Sequence, residues 1–231
     1  MKIDFSKLAK KSNDSDDSQW LPVSDLMSGL MILFLFIAVS FALNVRKIAE
    51  NYQDNQDKIY QALKNEFQPN LDEWKAKIDK DSLTFIFTDP EVLFATGKSD
   101  LQPRFKDILE QFFPRYIKVI DEYKSSINEV RIEGHTSSKW NMDSNEDEAY
   151  FKNMNLSQER TRSVLEYTYN LSDVAQYRSW IKAHFSAVGL SSSQPIKDKY
   201  GNEDENASKR VTFKIITNAE EQLQKILGAG Q

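Results

Sequence analysis

The feature that most constrains this chain is an uncharged, apolar run over residues 26–45. Twenty helical residues at about 1.5 Å each cover roughly the 30 Å hydrocarbon core of a bilayer. A cleaved signal peptide is the alternative, because Ala38, Ser40 and Ala42 resemble a cleavage site. The run is longer than the roughly 7–15 residues of a signal h-region, and aspartates stand among the lysines of the leader. The sequence therefore predicts one uncleaved transmembrane helix over residues 20–45.

Composition removes several classes of function. The 231 residues carry a formal net charge of -5 with scattered basic residues, which gives no electrostatic footprint for nucleic acid. Cysteine is absent, which excludes disulfides, thiolate metal sites and thiol nucleophiles. The two histidines, His135 and His184, are too far apart in sequence to predict a metal site. No nucleophile–base pair or phosphate loop is present, so we expect neither enzymatic activity nor a cofactor.

Asp25 lies at the beginning of the predicted span. If Trp20 lies at the headgroup level, five residues at 1.5 Å place the carboxyl roughly 7–8 Å deeper. An acid at mid-membrane costs about 2.5–3.5 kcal/mol on insertion scales, and less near the interface, so its presence suggests a use. The alternative is an aspartate at the membrane surface that only complements the helix dipole.

The small and polar residues of the span share one face on a helical wheel, within an arc of roughly 160°. They are Asp25, Ser28, Gly29, Ser40 and Asn44. Such a face meets protein or water rather than lipid. A lone helix cannot conduct ions, so the pattern implies a partner subunit. Basic residues flank both ends of the span, and their distribution does not settle its orientation.

Residues 46–80 are polar apart from a narrow apolar stripe with helical spacing. The stripe consists of Ile48, Tyr52, Ile59, Leu63 and Phe67. Two interpretations stay open: the stripe pairs with a second copy, or the segment is a solvated linker helix. After a break at residues 69–70, the spacing of Leu71, Trp74 and Ile78 predicts a second short helix. The segment as a whole is expected to form linker or plug-like helices.

From residue 81 the pattern changes to that of a compact mixed domain. The sequence predicts strands over residues 83–88, 129–135, 186–189 and 210–217, and helices over residues 103–123, 157–169 and 172–184. The order βαβαββ predicts an α/β fold, specifically an α+β sandwich, over residues 81–218. Residues 1–19 precede the membrane span, and residues 219–231 form a tail.

Residues 20–31, with the sequence WLPVSDLMSGLM, resemble the transmembrane segment of MotB-type stator subunits. The resemblance implies that Asp25 binds the translocated ion, a proton or alternatively sodium. It also implies a cytoplasmic N-terminus and a periplasmic C-terminal domain in the bacterial inner membrane.

The C-terminal domain is similar to OmpA-like peptidoglycan-binding domains through four motifs in order. They are residues 93–101 (LFATGKSDL), 130–137 (VRIEGHTS), 153–160 (NMNLSQER) and 206–211 (NASKRV). By this resemblance Arg160 pairs with the carboxylate of a diaminopimelate stem, while Asn153 and Leu156 line the same pocket. Guanidinium geometry suits such a fork.

The chain departs from the OmpA-like pattern at Ser137, where the family has an aspartate for the ammonium end of the stem. A serine hydroxyl can accept a hydrogen bond but brings no charge. Four acids of the following loop are candidates to replace it: Asp143, Glu146, Asp147 and Glu148. The alternative, which the sequence favours, is a solvated loop.

An ion-binding helix and a wall anchor in one chain predict a peptidoglycan-anchored, ion-driven stator. Because the chain is short and has no long basic leader, it resembles most the ZorB family of Zorya anti-phage defence systems. The family resemblance implies two copies of this chain, a homodimer, inside a pentamer of a ZorA/MotA-like membrane subunit. A flagellar MotB-type stator and a passive tether from membrane to wall are the alternatives.

Overall fold

The computed structural model describes the backbone of residues 14–141 and 143–218, and side chains from residue 23 onward. Most of the predicted N-terminal segment (1–19) and the whole predicted tail (219–231) lie outside these residues. The chain divides into two compact units, Met1–Glu50 and Asn51–Gln231.

Helix α1 spans Asp14–Phe67 and begins well before the predicted membrane span. Within the described residues it is the one helix long and apolar enough to cross a membrane. The first unit contains the uncharged run, and its large apolar side chains, such as Leu26 and Phe36, are exposed. A helix that exposes so much apolar surface is suited to lipid or to a partner rather than to water.

The second unit contains a five-stranded sheet with helices between its strands. The strands are β1 (Ala76–Asp79), β2 (Thr84–Phe87), β3 (Ile127–His135), β4 (Phe185–Gly189) and β5 (Arg210–Thr217), in the spatial order β1-β2-β5-β3-β4. The helices are α2 (Pro90–Leu93), α3 (Pro103–Asp121), α4 (Glu146–Asn170), α5 (Arg178–His184) and α6 (Glu205–Ser208), with 3-10 turns at Lys124–Ser126 and Ser172–Tyr177. All strand pairs are antiparallel except β3 with β4. Those two parallel strands are joined by the long crossover through α4 and α5.

Both long helices of the domain cover the same face of the sheet. Phe213 of β5 faces α3, where its ring lies 5.1 Å from that of Phe112. Gly134 of β3 is the register partner of Val211, two residues from Phe213, so it shares that face, and it lies against the backbone of Ser157 in α4. The fold is therefore the predicted α+β sandwich, and the βαβαββ order of β2 to β5 is confirmed.

Strand β1 corrects the interpretation of residues 71–78. The predicted short helix is instead a turn followed by a strand that pairs antiparallel with β2. The spacing of Leu71, Trp74 and Ile78 resembles that of a helix, but these residues belong to different elements. Trp74 is buried in the core before the strand begins, and Ile78 is a half-buried position of a strand in which half-buried and exposed residues alternate. The boundary predicted between residues 80 and 81 therefore falls inside the β1–β2 hairpin, and residues 46–80 are not all linker helices.

The apolar stripe after the membrane span is the second correction. Ile59, Leu63 and Phe67 are completely buried in the core of the chain's own domain. The ring of Phe67 lies 5.3 Å from that of Phe85 and 5.2 Å from that of Phe112. These three residues therefore fit neither of the two interpretations, a solvated linker helix or a stripe that pairs with a second copy. Of the five residues of the stripe, only Tyr52 is exposed.

Helix α4 begins earlier than the sequence predicted, at Glu146 rather than at residue 157. Asn145 caps it by accepting a hydrogen bond from the backbone N–H of Glu148 at 2.9 Å. Three acids follow in the first turn, where they complement the helix dipole. Part of the predicted polar loop is thus helix, and its acidic character belongs to the start of α4.

Candidate functional site

Asp25, the residue predicted to bind the ion, lies inside α1. The helix begins at Asp14, about three turns before Asp25. Interactions with the helix dipole fall off within the first turn, so a dipole-complementing role does not explain this aspartate. Because α1 is helical throughout the span, Asp25 and Gly29 lie one turn apart on the same face.

The second candidate site is a cavity of about 350 Å³ at the end of β3 where His135 lies. Four segments line it, and each overlaps one of the predicted motifs: residues 90–97, 134–140, 153–160 and 205–211. All four residues predicted to bind peptidoglycan, Ser137, Asn153, Leu156 and Arg160, are among the lining residues. The fold therefore brings together positions that lie far apart in the sequence.

Two glycines let α4 approach the sheet closely enough to form one wall of the cavity. A Cβ atom on Gly134 would lie 2.7 Å from the backbone oxygen of Ser157. A Cβ atom on Gly189 would lie 2.3 Å from the backbone nitrogen of Gln158. Gln158 in turn accepts a hydrogen bond from the backbone N–H of Gly189 at 2.8 Å and donates one to the carbonyl of Ala187 at 3.1 Å. Helix α4 is thus fixed in register against β4.

Arg160 supplies a positive charge that no acid among the described residues pairs with. Its Nε donates to the carbonyl of Lys98 at 2.9 Å, its Nη2 donates to the carbonyl of Ala95 at 3.3 Å, and its guanidinium lies 4.7 Å from the ring centre of Phe94. No carboxylate pairs with it among the described residues. Burial lowers the pKa of Arg160 to about 10, so the group is a partly desolvated cation at neutral pH. Its remaining N–H groups can receive an anion.

Asn153 acts mainly on the shape of the cavity. Its side-chain amide donates to the carbonyl of Ser137 at 3.1 Å and to that of Lys139 at 3.3 Å. Both Asn153 and Ser137 are buried. Asn153 therefore holds the loop after β3 against α4, which fixes the backbone on which Ser137 and Lys139 stand.

A cluster of buried polar side chains at the ends of β3 and β5 includes two residues that line the cavity, His135 and Arg210. His135 is opposite Arg210 in the sheet register, and its Nε2 lies 3.5 Å from the carboxylate of Glu133. Neither ring nitrogen of His135 has a hydrogen-bond partner among the described residues. Burial lowers the pKa of His135 and also that of Arg210. Arg210 donates to the carbonyls of Ser208 at 3.1 Å and Gln194 at 3.2 Å.

The four acids proposed to replace the missing aspartate at Ser137 do not line the cavity. Asp143, Glu146, Asp147 and Glu148 are exposed, and the last three belong to the first turn of α4. The acids that line the cavity within the described residues are Glu91 and Glu205. Glu205 pairs with Lys139, whose Nζ lies 2.6 Å from Oε1 of the glutamate.

Sequence reasoning missed several of the lining side chains, among them Lys139, Trp140, Glu205 and Arg210. Arg210 had a usable signal, because it belongs to the 206–211 motif, although no role in the site was assigned to it. Glu205 had none, since its position follows from a loop that folds back over the end of the sheet. His184 lies away from the cavity, stacked on Trp180 at 4.8 Å. Within the part of the chain that the structure describes, no three metal-binding side chains cluster.

Comparisons with known proteins agree with this arrangement. Residues 93–210 match the OmpA family. The chain is 49% identical over 233 residues to the Zorya protein ZorB of Escherichia coli, with 98% of each chain covered. Among solved structures, a MotB-like protein from Desulfovibrio vulgaris is similar at 22% identity and a TM-score of 0.51, covering 74% of this chain and 93% of that chain. This last likeness concerns the fold.

Proposed function

This chain belongs to the family of the Zorya protein ZorB and carries an OmpA family domain, and from that premise we propose that it is the stator subunit of an anti-phage defence complex. In this proposal the cavity anchors the chain to peptidoglycan and α1 takes part in ion transfer. The anchor resists the reaction force when ion flow moves a partner. The proposed role is mechanical and involves no enzymatic step.

The observation that carries the proposal is the guanidinium of Arg160. Arg160 lines the cavity, its hydrogen bonds to Ala95 and Lys98 use only part of its N–H groups, and no acid within the described residues neutralises it. Desolvating a cation without a partner is costly, so such a group is best explained by an anion that arrives with a ligand. The carboxylate of a diaminopimelate stem fits the planar fork of a guanidinium.

Asp25 is proposed as the ion-binding residue. A carboxylate within an uncharged apolar helix is expensive and therefore a functional candidate. The transferred ion is proposed to be a proton, with sodium as the alternative. The other half of the ion path must come from a second protein, which we propose to be a ZorA/MotA-like membrane subunit, a pentamer around two copies of this chain.

The proposed location is the bacterial inner membrane, crossed once by α1. The N-terminus is proposed to be cytoplasmic and residues 51–218 periplasmic, because a peptidoglycan-binding domain must lie on the wall side. The near-complete overlap with a Zorya relative favours defence over a flagellar role.

The experiment is a phage-plaquing assay on cells that express the full chain together with its ZorA-like partner. Asp25→Asn and Arg160→Ala should each abolish protection while the chain still inserts and copurifies with the partner. Protection that survives Asp25→Asn but not Arg160→Ala would indicate a passive tether. Protection that survives both substitutions would exclude the proposed function.

A further inference from the structure

The cavity carries charges of both signs, contributed by different walls. Arg160 reaches it from α4 and is held against the 95–98 segment. Glu205 reaches it from α6 and is held against the loop that carries Ser137 and Lys139. A cavity with a cation at one wall and an anion at another is complementary to a zwitterion.

The partner that Glu205 now has is an ammonium group from the chain itself. Lys139 is 75% exposed and Glu205 39% exposed, and their charged atoms are 2.6 Å apart. Exposed ion pairs of this kind contribute little to stability because solvent screens them and long side chains lose entropy. A ligand ammonium can therefore displace Lys139 at small cost, and Lys139 serves as a model of what Glu205 binds.

The backbone around Glu205 is well fixed. The side chain of Asp204 caps α6 by accepting hydrogen bonds from the backbone N–H groups of Asn206 at 3.1 Å and Ala207 at 3.0 Å. One residue earlier, Glu203 accepts from the backbone N–H of Ser138 at 3.0 Å and also from its hydroxyl. These bonds tie the α6 segment to the loop that carries Ser137, and both Ser137 and Glu205 line the cavity.

We propose that Glu205 binds the ammonium group of the ligand while Arg160 binds its carboxylate, and that Lys139 leaves Glu205 when the ligand enters. The ligand class is the zwitterionic end of a diamino acid, as in a diaminopimelate stem. This inference rests on the proposed peptidoglycan binding and adds to it the residue that replaces the acid absent at Ser137. Glu91, the other lining acid, is exposed on the short helix α2, and none of the described residues forms a hydrogen bond with its carboxylate.

The test measures binding of the detergent-solubilised full chain to sacculi with meso-diaminopimelate stems. Glu205→Gln keeps the shape of the side chain and removes its charge, and should weaken binding about tenfold or more, as for loss of a charged hydrogen bond. Glu146→Gln is the matched control and should bind like the parent, because Glu146 is an exposed acid that does not line the cavity. Lys139→Met removes the internal competitor and should bind as tightly as the parent or more tightly.

A rescue separates recognition from a structural effect. Ser137→Asp in the Glu205→Gln background places a carboxylate on the neighbouring loop and should restore most of the lost binding. Free diaminopimelate should compete with sacculi for the parent chain, and its form acetylated on the amino group of that end should compete less well.

The outcomes distinguish this inference from the proposed function. Parent-like binding by Glu205→Gln together with a loss in Arg160→Ala would overturn the role of Glu205 alone. Parent-like binding by both variants would overturn peptidoglycan binding through this cavity. An equal loss in Lys139→Met and Glu205→Gln, or no rescue by Ser137→Asp, would mean that the ion pair only supports the loop, and would also overturn the role of Glu205.

Discussion

Arg115 of α3 binds the last turn of α1 through Glu66. Its Nε donates to the carboxylate of Glu66 at 2.6 Å, and its Nη2 donates to the backbone carbonyl of the same residue, also at 2.6 Å. Nη1 donates to the side chain of Asn70 at 3.0 Å, and the guanidinium lies 4.8 Å from the ring centre of Phe67. One side chain therefore joins the end of α1 and the following turn to the domain core.

Replacing Arg115 should loosen this junction. Both charged groups are more than a third exposed, so the ion pair itself is worth little. The substitution also removes the hydrogen bond to the Glu66 carbonyl and the contact with the Phe67 ring. We therefore expect Arg115→Ala to lower the free energy of unfolding by about 1–2 kcal/mol. Arg115→Lys should recover only part of this, because lysine cannot donate in three directions from a plane. Thermal unfolding of the full chain measures both variants. Arg104→Ala is the control, since Arg104 forms an ion pair with exposed Glu73.

The burial of Ile59, Leu63 and Phe67 determines where cysteines on α1 can crosslink two copies of the chain. If two copies pair along α1, cysteine at Tyr52 can form a disulfide because this side chain is 41% exposed. Cysteine at Ile59 or Leu63 should not crosslink, since both side chains are completely buried, and should instead lower the melting temperature. Non-reducing gels of membranes give the result. Efficient crosslinking at Ile59 or Leu63 would contradict the packing of α1 onto its own domain.

The sequence predicted most of the domain because its elements have clear periods. Helix α3 buries residues at three- and four-residue intervals, such as Phe105, Ile108 and Phe112. The alternation of apolar and polar residues in β3 likewise predicted that strand. Strand β1 was missed because four residues are too few to show an alternation, and its partner β2 is what makes it a strand. A stripe at helical spacing on α1 shows an apolar face but does not identify what covers it.

The sequence predicted the residues of the site that belong to motifs, but not those that a loop brings to it. Asn153, Leu156 and Arg160 lie on one helix at spacings that place them on the same side, so their convergence follows from the sequence. The contribution of Glu205 depends on a loop between β4 and β5 that returns to the end of β3. Such long-range closure depends on tertiary contacts, including the Ser138–Glu203 bond, that no local pattern encodes.

Arg160 provides the direct test of anchoring. Arg160→Ala should weaken cosedimentation of the full chain with sacculi by about tenfold or more, because a charged hydrogen-bond donor is lost. Arg160→Lys keeps the charge but not the fork and should also bind poorly. Arg162→Ala is the matched control on the same helix, since Arg162 is 74% exposed and forms an ion pair with Glu166 at 3.9 Å. Unchanged thermal unfolding of Arg160→Ala would show that the loss concerns the ligand.

The buried His135 predicts that acid destabilises the domain. Burial lowers its pKa, while the unfolded chain has the ordinary value of about 6.5. Below that pH the unfolded state binds more protons than the folded state, so the free energy of unfolding falls as the pH falls towards the folded pKa. Above about pH 6.5 the imidazole is neutral in both states, so the domain keeps its full free energy of unfolding. Glu133 at 3.5 Å opposes the shift, whereas Arg210 and Lys214 add to it.

The measurement for His135 is the melting temperature at pH 7.5 and pH 5.5. His135→Gln should reduce the drop between these two values, because its amide does not titrate. An undiminished drop in His135→Gln would assign the acid sensitivity to other groups.

Asp25→Asn should abolish partner-dependent ion flux while leaving membrane insertion and copurification of the partner intact. Asparagine has nearly the same shape and can hydrogen-bond, but it can neither exchange a proton nor become an anion. Each ion that crosses about 100 mV delivers about 2.3 kcal/mol, and repeated transfer requires a site that reloads.

Asp25→Glu should retain partial flux because it keeps a titratable group. Asp54→Asn, on the same helix but beyond the apolar run, is the matched control and should behave like the parent, since Asp54 only pairs with exposed Lys58. Undiminished flux in an assembled Asp25→Asn complex would refute the assignment of Asp25 as the ion-binding residue.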